Sequence, residues 1–142
     1  MVMGPLTVPG TLASLGDLRK YVTAAATAAG LDKKAAYRLN LAVDEIATNV
    51  ITHGYIEASR EGEIDVSTDI DEETLVIHLE DTGEVYNPIE FQAPDDLDQP
   101  PEQRQIGGLG VFIAIQSVDR FLYERIGNRN RHTFVMKRPA TS

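Results

Sequence analysis

This chain of 142 residues contains no cysteine, and it has few basic clusters and no long apolar run. Without cysteine it can form no disulfide framework, no zinc–thiolate site and no thiol nucleophile. The formal charge of -9 argues against a nucleic-acid surface, because phosphate contacts need Lys and Arg, and only residues 129–138 gather several of them. No apolar run is long enough to cross a bilayer, and no signal-type leader is visible. We therefore expect a cytoplasmic protein that has no membrane or nucleic-acid partner.

The apolar content of 42% is sufficient for one substantial core. No tandem repeat is visible, so we predict a single domain over residues 1–142, with its core at about residues 6–139.

Two helices are predicted in the first third of the chain. An apolar stripe at helical spacing begins near Ser14, and Gly30 is a typical C-terminal stop. Asp32 is the predicted N-cap of the second helix, which should run to about His53 and end at Gly54.

Alternating apolar and polar residues indicate several strands. They are predicted at residues 6–8, 64–70, 74–80, 120–126 and 132–137, with the last two joined by a turn at residues 127–130. Four prolines and several aspartates predict a long irregular lid loop between residues 84 and 106, followed by a short apolar helix. The element order β-α-α-β-β-loop-α-β-β predicts an α+β fold. We expect a two-layer sandwich, in which helices cover one face of a mixed, mainly antiparallel sheet.

Glu45 and Asn49 are the first candidate site residues, because they lie four positions apart on a mostly apolar helix and must share a face. A glutamate that can take a proton, beside an amide oxygen that can hold a hard cation, suits magnesium-dependent phosphoryl transfer. For an isolated pair at this spacing, a solvent-exposed helix face is the commoner explanation.

Asp81 and Gly83 form the second candidate feature, at the end of a hydrophobic strand. A carboxylate there can accept a hydrogen bond from the exocyclic amine of a base, and Gly83 lets the backbone approach a flat ring. Taken alone, the pair is more typical of an ordinary turn.

Gly107, Gly108 and Gly110 precede or open the short helix. Free backbone N–H groups at a helix start can hold phosphate oxygens, and Arg104 can add a charged donor. A flexible hinge is the alternative explanation. The segment lacks the lysine and hydroxyl of a P-loop, and no GxGxxG motif follows a strand.

The order of these motifs resembles the nucleotide site of the GHKL ATPase superfamily. Within it the chain resembles the bacterial anti-sigma-factor serine-protein kinases, through the stretches AVDEIATNVITHGY, EDTGEVYNP and GGLGVFIAIQSVD and the closing YERIGNRNRHTFVMKRP. The resemblance implies the GHKL (Bergerat) version of the predicted sandwich, with ATP and Mg²⁺ as cofactors. It also implies that Glu45 is the general base towards an accepting serine and that Asn49 is the magnesium ligand.

The same resemblance makes Asp81 the adenine-recognising residue, with Gly83 beside the base, and it places the amides of Gly107, Gly108 and Gly110 on the phosphates. The implied partners are a small antagonist protein that supplies the serine, a sigma factor that is alternatively bound, and a second copy of the chain. A non-catalytic nucleotide-binding switch, and a domain that serves a phosphatase or receptor on a separate chain, remain as alternatives.

The chain departs from the superfamily pattern at two places. Val85 stands where many members carry a further glycine, and residues 130–133 replace the usual Gly-Thr before the last strand. The sequence assigns no residue to the threonine contact near the base. His53, His78 and His132 lack the context of a phosphoacceptor box, so we expect them to be structural or exposed.

Overall fold

A computed structural model describes residues 2–88 and 108–139. The strands are β1 (Val2–Pro9), β2 (Glu63–Ile70), β3 (Thr74–Asp81), β4 (Arg120–Ile126) and β5 (Arg129–Lys137). The helices are α1 (Leu15–Ala28), α2 (Lys33–Asn49) and α3 (Gly108–Gln116), and a π-helical segment (Val50–Ile56) continues α2. A single 3₁₀ turn (Leu12–Ser14) leads into α1. The predicted lid loop lies largely outside the described residues, as do Arg104 and Gly107.

The sheet has the strand order β1-β2-β3-β5-β4. All its pairings among the described strands are antiparallel, so the parallel component that we expected of a mixed sheet is not found there. One face of the sheet and the inner faces of the helices share a single apolar core, which includes Leu18, Val43, Ile46, Leu79 and Phe134. The predicted α+β sandwich, with helices on one face, is confirmed.

The helix boundaries follow the predicted signals on either side of the α1–α2 turn. Gly30 adopts a positive φ of 77°, which a residue with a side chain rarely adopts. Asp32 caps α2, because its side chain accepts a hydrogen bond of 2.7 Å from the backbone N–H of Ala35. The chain therefore reverses between two helices that pack side by side.

The predicted end of α2 at Gly54 is wrong. The helical path continues through Gly54 to Ile56, with the wider hydrogen-bond spacing of a π-helix. Gly54 is buried, and its carbonyl accepts the N–H of Glu84 at 3.0 Å. The backbone at position 54 therefore contacts a segment that is distant in sequence, which the local signal for a helix stop does not indicate.

The predicted four-residue turn at 127–130 is also wrong. Ile126 pairs with Arg129, and Arg125 pairs with Asn130, so the hairpin turn contains only Gly127 and Asn128. Gly127 has a φ of +60°, as the first central residue of a type II′ turn requires. As a result β5 begins three residues earlier than predicted and includes Asn130. In the pairing of β3 with β5, Asn130 lies directly opposite Asp81. In residues 2–88 and 108–139, no helix is both long and apolar enough to cross a membrane.

Candidate nucleotide site

The site residues lie where the end of α2 meets the end of β3. Gly83 is packed so tightly there that an added Cβ would lie 2.9 Å from the carbonyl oxygen of Gly54. A glycine at position 83 is therefore required by backbone packing, and this contact ties the segment after β3 to the π-helical segment.

Glu45 and Asn49 share a face of α2, as their spacing predicts. The Asn49 Nδ2 donates to the Glu45 carboxylate at 3.1 Å and to the Glu45 backbone carbonyl at 2.8 Å. Both side chains are half-buried. Because the amide donates through Nδ2, its oxygen Oδ1 is the atom that can bind a cation.

Gly110 lies in the first turn of α3, against Glu45. A Cβ built on Gly110 would lie 2.6 Å from Oε1 of Glu45. Gly108 is the first residue of the same helix. The structure thus brings Glu45, Asn49 and Gly110 together. Their catalytic and binding roles stay predictions.

Asp81 is almost completely buried, with 1% of its surface exposed. Its Oδ1 accepts two hydrogen bonds of 2.9 Å, from the backbone N–H of Gly83 and from Nδ2 of Asn130. Its Oδ2 is buried without a hydrogen-bond partner among the described residues. Burial raises the pKa of Asp81, while these hydrogen bonds and the charges of Arg125 and Arg129 act in the opposite direction. A buried acceptor without a partner is costly, and an amine on a ligand would satisfy it.

Asn130 was not predicted as a site residue. It is fully buried, and its Nδ2 also approaches the carbonyl oxygens of Glu84 at 3.0 Å and Gly83 at 3.4 Å. Its Oδ1 accepts a hydrogen bond from the Tyr123 hydroxyl. Reading residues 127–128 as a two-residue turn would have placed Asn130 within β5, opposite Arg125. Its position opposite Asp81 depends on the separate pairing of β3 with β5, for which the sequence carries no local signal.

Tyr86 and His132 are neighbouring aromatic residues near the site, and His132 belongs to β5. The Tyr86 ring centroid is 6.3 Å from that of His53 and 5.8 Å from that of His132. Burial raises the pKa of the Tyr86 phenol, and the nearby Glu45 carboxylate raises it further. His132 is fully buried, its Nε2 lies 3.0 Å from the Tyr86 carbonyl oxygen, and burial lowers its pKa to about 4. The neutral ring therefore fits the structural role expected for it.

The donor set suits ATP and magnesium. No group of three or more His, Cys, Asp or Glu that could hold a metal occurs among residues 2–88 and 108–139. A cation at Asn49 would therefore depend on phosphate oxygens and water for most of its ligands, which magnesium prefers and zinc does not.

Comparison with known proteins agrees with the fold. The profile of the histidine kinase-like ATPase domain matches residues 8–137, and the chain belongs to this family. Within the family it is similar to serine-protein kinases named RsbW. It is 33% identical over 110 residues to the RsbW of Listeria monocytogenes serovar 1/2a, and this match covers 75% of the chain and 68% of the relative. It is 28% identical over 118 residues to that of Halalkalibacterium halodurans, covering 81% and 71%. The resemblance to the anti-sigma serine-protein kinases is thus confirmed.

A solved structure shows the same fold. The histidine kinase domain of the blue-light activated histidine kinase from Erythrobacter litoralis EL346 superimposes with a TM-score of 0.51 at 19% identity. The match covers 87% of this chain and 59% of the other, so the chain spans about three fifths of that structure.

Proposed function

We propose that this protein is a serine-protein kinase of the anti-sigma type, which binds ATP with magnesium and phosphorylates a serine of a small antagonist protein. One observation carries the proposal: the Glu45 carboxylate lies beside the Asn49 amide and against the first turn of α3. In this proposal the Glu45 carboxylate is the proton acceptor, the Asn49 amide is the cation ligand and the N-terminus of α3 binds phosphate. The relatives named serine-protein kinase support it.

Base binding is assigned to the end of β3. The Oδ2 of Asp81 accepts the exocyclic amine of adenine, and the backbone at Gly83 borders the ring. The phosphates extend toward α3, where the amides of Gly107, Gly108 and Gly110 bind them, together with Arg104. Asn49 would hold Mg²⁺, which neutralises charge on the phosphates when bound.

Transfer is assigned to Glu45. Its carboxylate takes the proton of the accepting serine hydroxyl as the serine oxygen bonds to the γ-phosphorus and ADP leaves. A sigma factor as an alternative partner, a homodimer and a cytoplasmic location complete the proposal. They rest on the family and the composition.

The deciding experiment is phosphate transfer from radiolabelled ATP, in the presence of magnesium, to candidate antagonist proteins encoded near the gene. Glu45→Gln should lower transfer by about a hundredfold or more while ATP binding survives. The glutamine side chain keeps the shape of the glutamate but cannot take a proton. Asn49→Ala should weaken both binding and transfer, and added magnesium should partly restore the binding.

Glu61→Gln is the matched control, because Glu61 is exposed. It should leave both steps unchanged. Retained transfer in Glu45→Gln would remove Glu45 as the base. ATP binding by the wild type without transfer to any antagonist would favour the alternative, a non-catalytic nucleotide-binding switch.

A further inference from the structure

Asn130 and Asp81 are opposite residues on neighbouring strands, and both are buried. Their side chains meet in a hydrogen bond of 2.9 Å from Nδ2 of Asn130 to Oδ1 of Asp81. Neither the motifs of the sequence nor the site residues assigned above give Asn130 a role.

The orientation of the Asn130 amide is fixed from both ends. The Tyr123 hydroxyl donates to its Oδ1, and the carbonyl oxygen of Glu84 and the carboxylate of Asp81 accept from its Nδ2. A flipped amide would bring two oxygens together at Asp81. The nitrogen must therefore point at Asp81.

This fixed donor determines which oxygen of Asp81 remains open. The N–H of Gly83 and the Nδ2 of Asn130 both bind Oδ1, so that oxygen is occupied. Oδ2 is left as a buried acceptor without a partner among the described residues. A ligand that meets Oδ2 must bring a donor, and one that presents a carbonyl oxygen leaves two acceptors facing each other.

We propose that Asn130 is a positioning and specificity-determining residue of the nucleotide site: it holds Asp81 so that Oδ2 selects a purine with an exocyclic amine over one with a carbonyl group. The inference rests on the proposed binding of ATP. Asn130 acts through Asp81 and has no direct contact with the base in this assignment.

A purely structural role for Asn130 has a different signature. Through Glu84 and Gly83 the amide also holds the backbone after β3. If that were its whole role, loss of Asn130 would weaken the binding of every nucleotide alike. If Asn130 helps to select the base, its loss should instead change the ratio between the affinities for a purine nucleotide with an exocyclic amine and one with a carbonyl group.

The test compares ATP with inosine triphosphate, in which a carbonyl oxygen replaces the amine. Their affinities are measured by calorimetry with magnesium for the wild type, Asn130→Ala and Tyr123→Phe. Wild type should prefer ATP by about tenfold or more. Asn130→Ala should lose about tenfold in ATP affinity with a much smaller change for inosine triphosphate, so the preference shrinks. Tyr123→Phe leaves Asn130 in place and removes one anchor of its amide, so it should lose part of the preference.

Asn128→Ala is the matched control, since Asn128 is exposed in the turn of the same hairpin. It should bind both nucleotides as the wild type does. Equal loss for the two nucleotides in Asn130→Ala, or an unchanged preference in both variants, would overturn the role of Asn130 while leaving ATP binding intact. A wild type that binds neither nucleotide would instead overturn the proposed function, and this inference with it.

Discussion

The carboxylate of Glu45 lies against the backbone of Gly110, in the first turn of α3. A Cβ at position 110 would lie 2.6 Å from Oε1 and 3.1 Å from the carboxyl carbon of Glu45. Real Cβ atoms essentially never approach this closely, so any side chain at position 110 must move Glu45 or the helix. The contact also places the carboxylate at the N-terminal end of α3.

Gly110→Ala should therefore impair transfer more than nucleotide binding. The added methyl group moves the carboxylate from its position, and a displacement of about 1 Å can cost on the order of a hundredfold in rate. Transfer and ATP affinity should be measured on the same preparation. Gly16→Ala is the control, because a Cβ on that helical glycine meets nothing within 4 Å. Wild-type transfer by Gly110→Ala would show that Glu45 can act from another position.

Asp81→Asn should change the choice of base as well as the affinity. The two donors at Oδ1 require an acceptor, so the new side chain should turn its oxygen toward Gly83 and Asn130 and its NH₂ toward the ligand. ATP affinity should fall by about tenfold to a hundredfold, and inosine triphosphate should become the better ligand of the two. Calorimetry on the folded variant checks this. Unchanged ATP affinity would remove Asp81 from the site.

Acid should destabilise the protein through His132. Burial lowers the pKa of this ring from 6.5 to about 4, so the fold holds it neutral. As the pH falls from about 6.5 to about 4, the unfolded chain takes up a proton that the folded protein does not. Stability is therefore lost over this window, by about 3 kcal/mol.

Urea unfolding between pH 7 and pH 4 tests this loss. His132→Gln should have a shallower dependence of the free energy of unfolding on pH than the wild type, whatever its stability at pH 7. Asn128→Gln, which changes an exposed residue of the same hairpin, should keep the wild-type slope. Equal slopes in all three proteins would contradict a neutral buried His132.

The hydroxyl of Tyr55 should add to the free energy of unfolding beyond what burial of its ring contributes. Its hydroxyl donates to the carbonyl of Glu63 at 2.8 Å and accepts the N–H of Thr82 at 2.9 Å. Tyr55→Phe leaves both groups without that partner and should cost about 1–3 kcal/mol in urea unfolding. Tyr37→Phe is the control, because Tyr37 is 68% exposed. A loss no greater than that of the control would show that these hydrogen bonds are replaced by water.

Periodic and local signals in the sequence predicted the helix faces, the Asp32 cap and the common face of Glu45 and Asn49, because each depends on residues a few positions apart. Contacts between distant segments were not predictable in this way. Asn130 reaches Asp81 only through the register of β5 against β3, two strands that are far apart in the sequence. The local sequence at Gly54 indicates a helix stop, yet the Gly54 carbonyl binds the N–H of Glu84. The close approach of Gly110 to Glu45 likewise joins residues that are distant in the sequence.

The π-helical continuation of α2 has a consequence for the length of the ligand. Gly54 lies on this continuation, and its carbonyl binds the N–H of Glu84 while Gly83 packs against it. The segment after β3 is thereby held against the continuation of the helix that carries Glu45, and this contact helps to set the position of Asp81 relative to Glu45. On the proposed function, a triphosphate held by its base reaches the carboxylate, and a diphosphate ends one phosphate short of it.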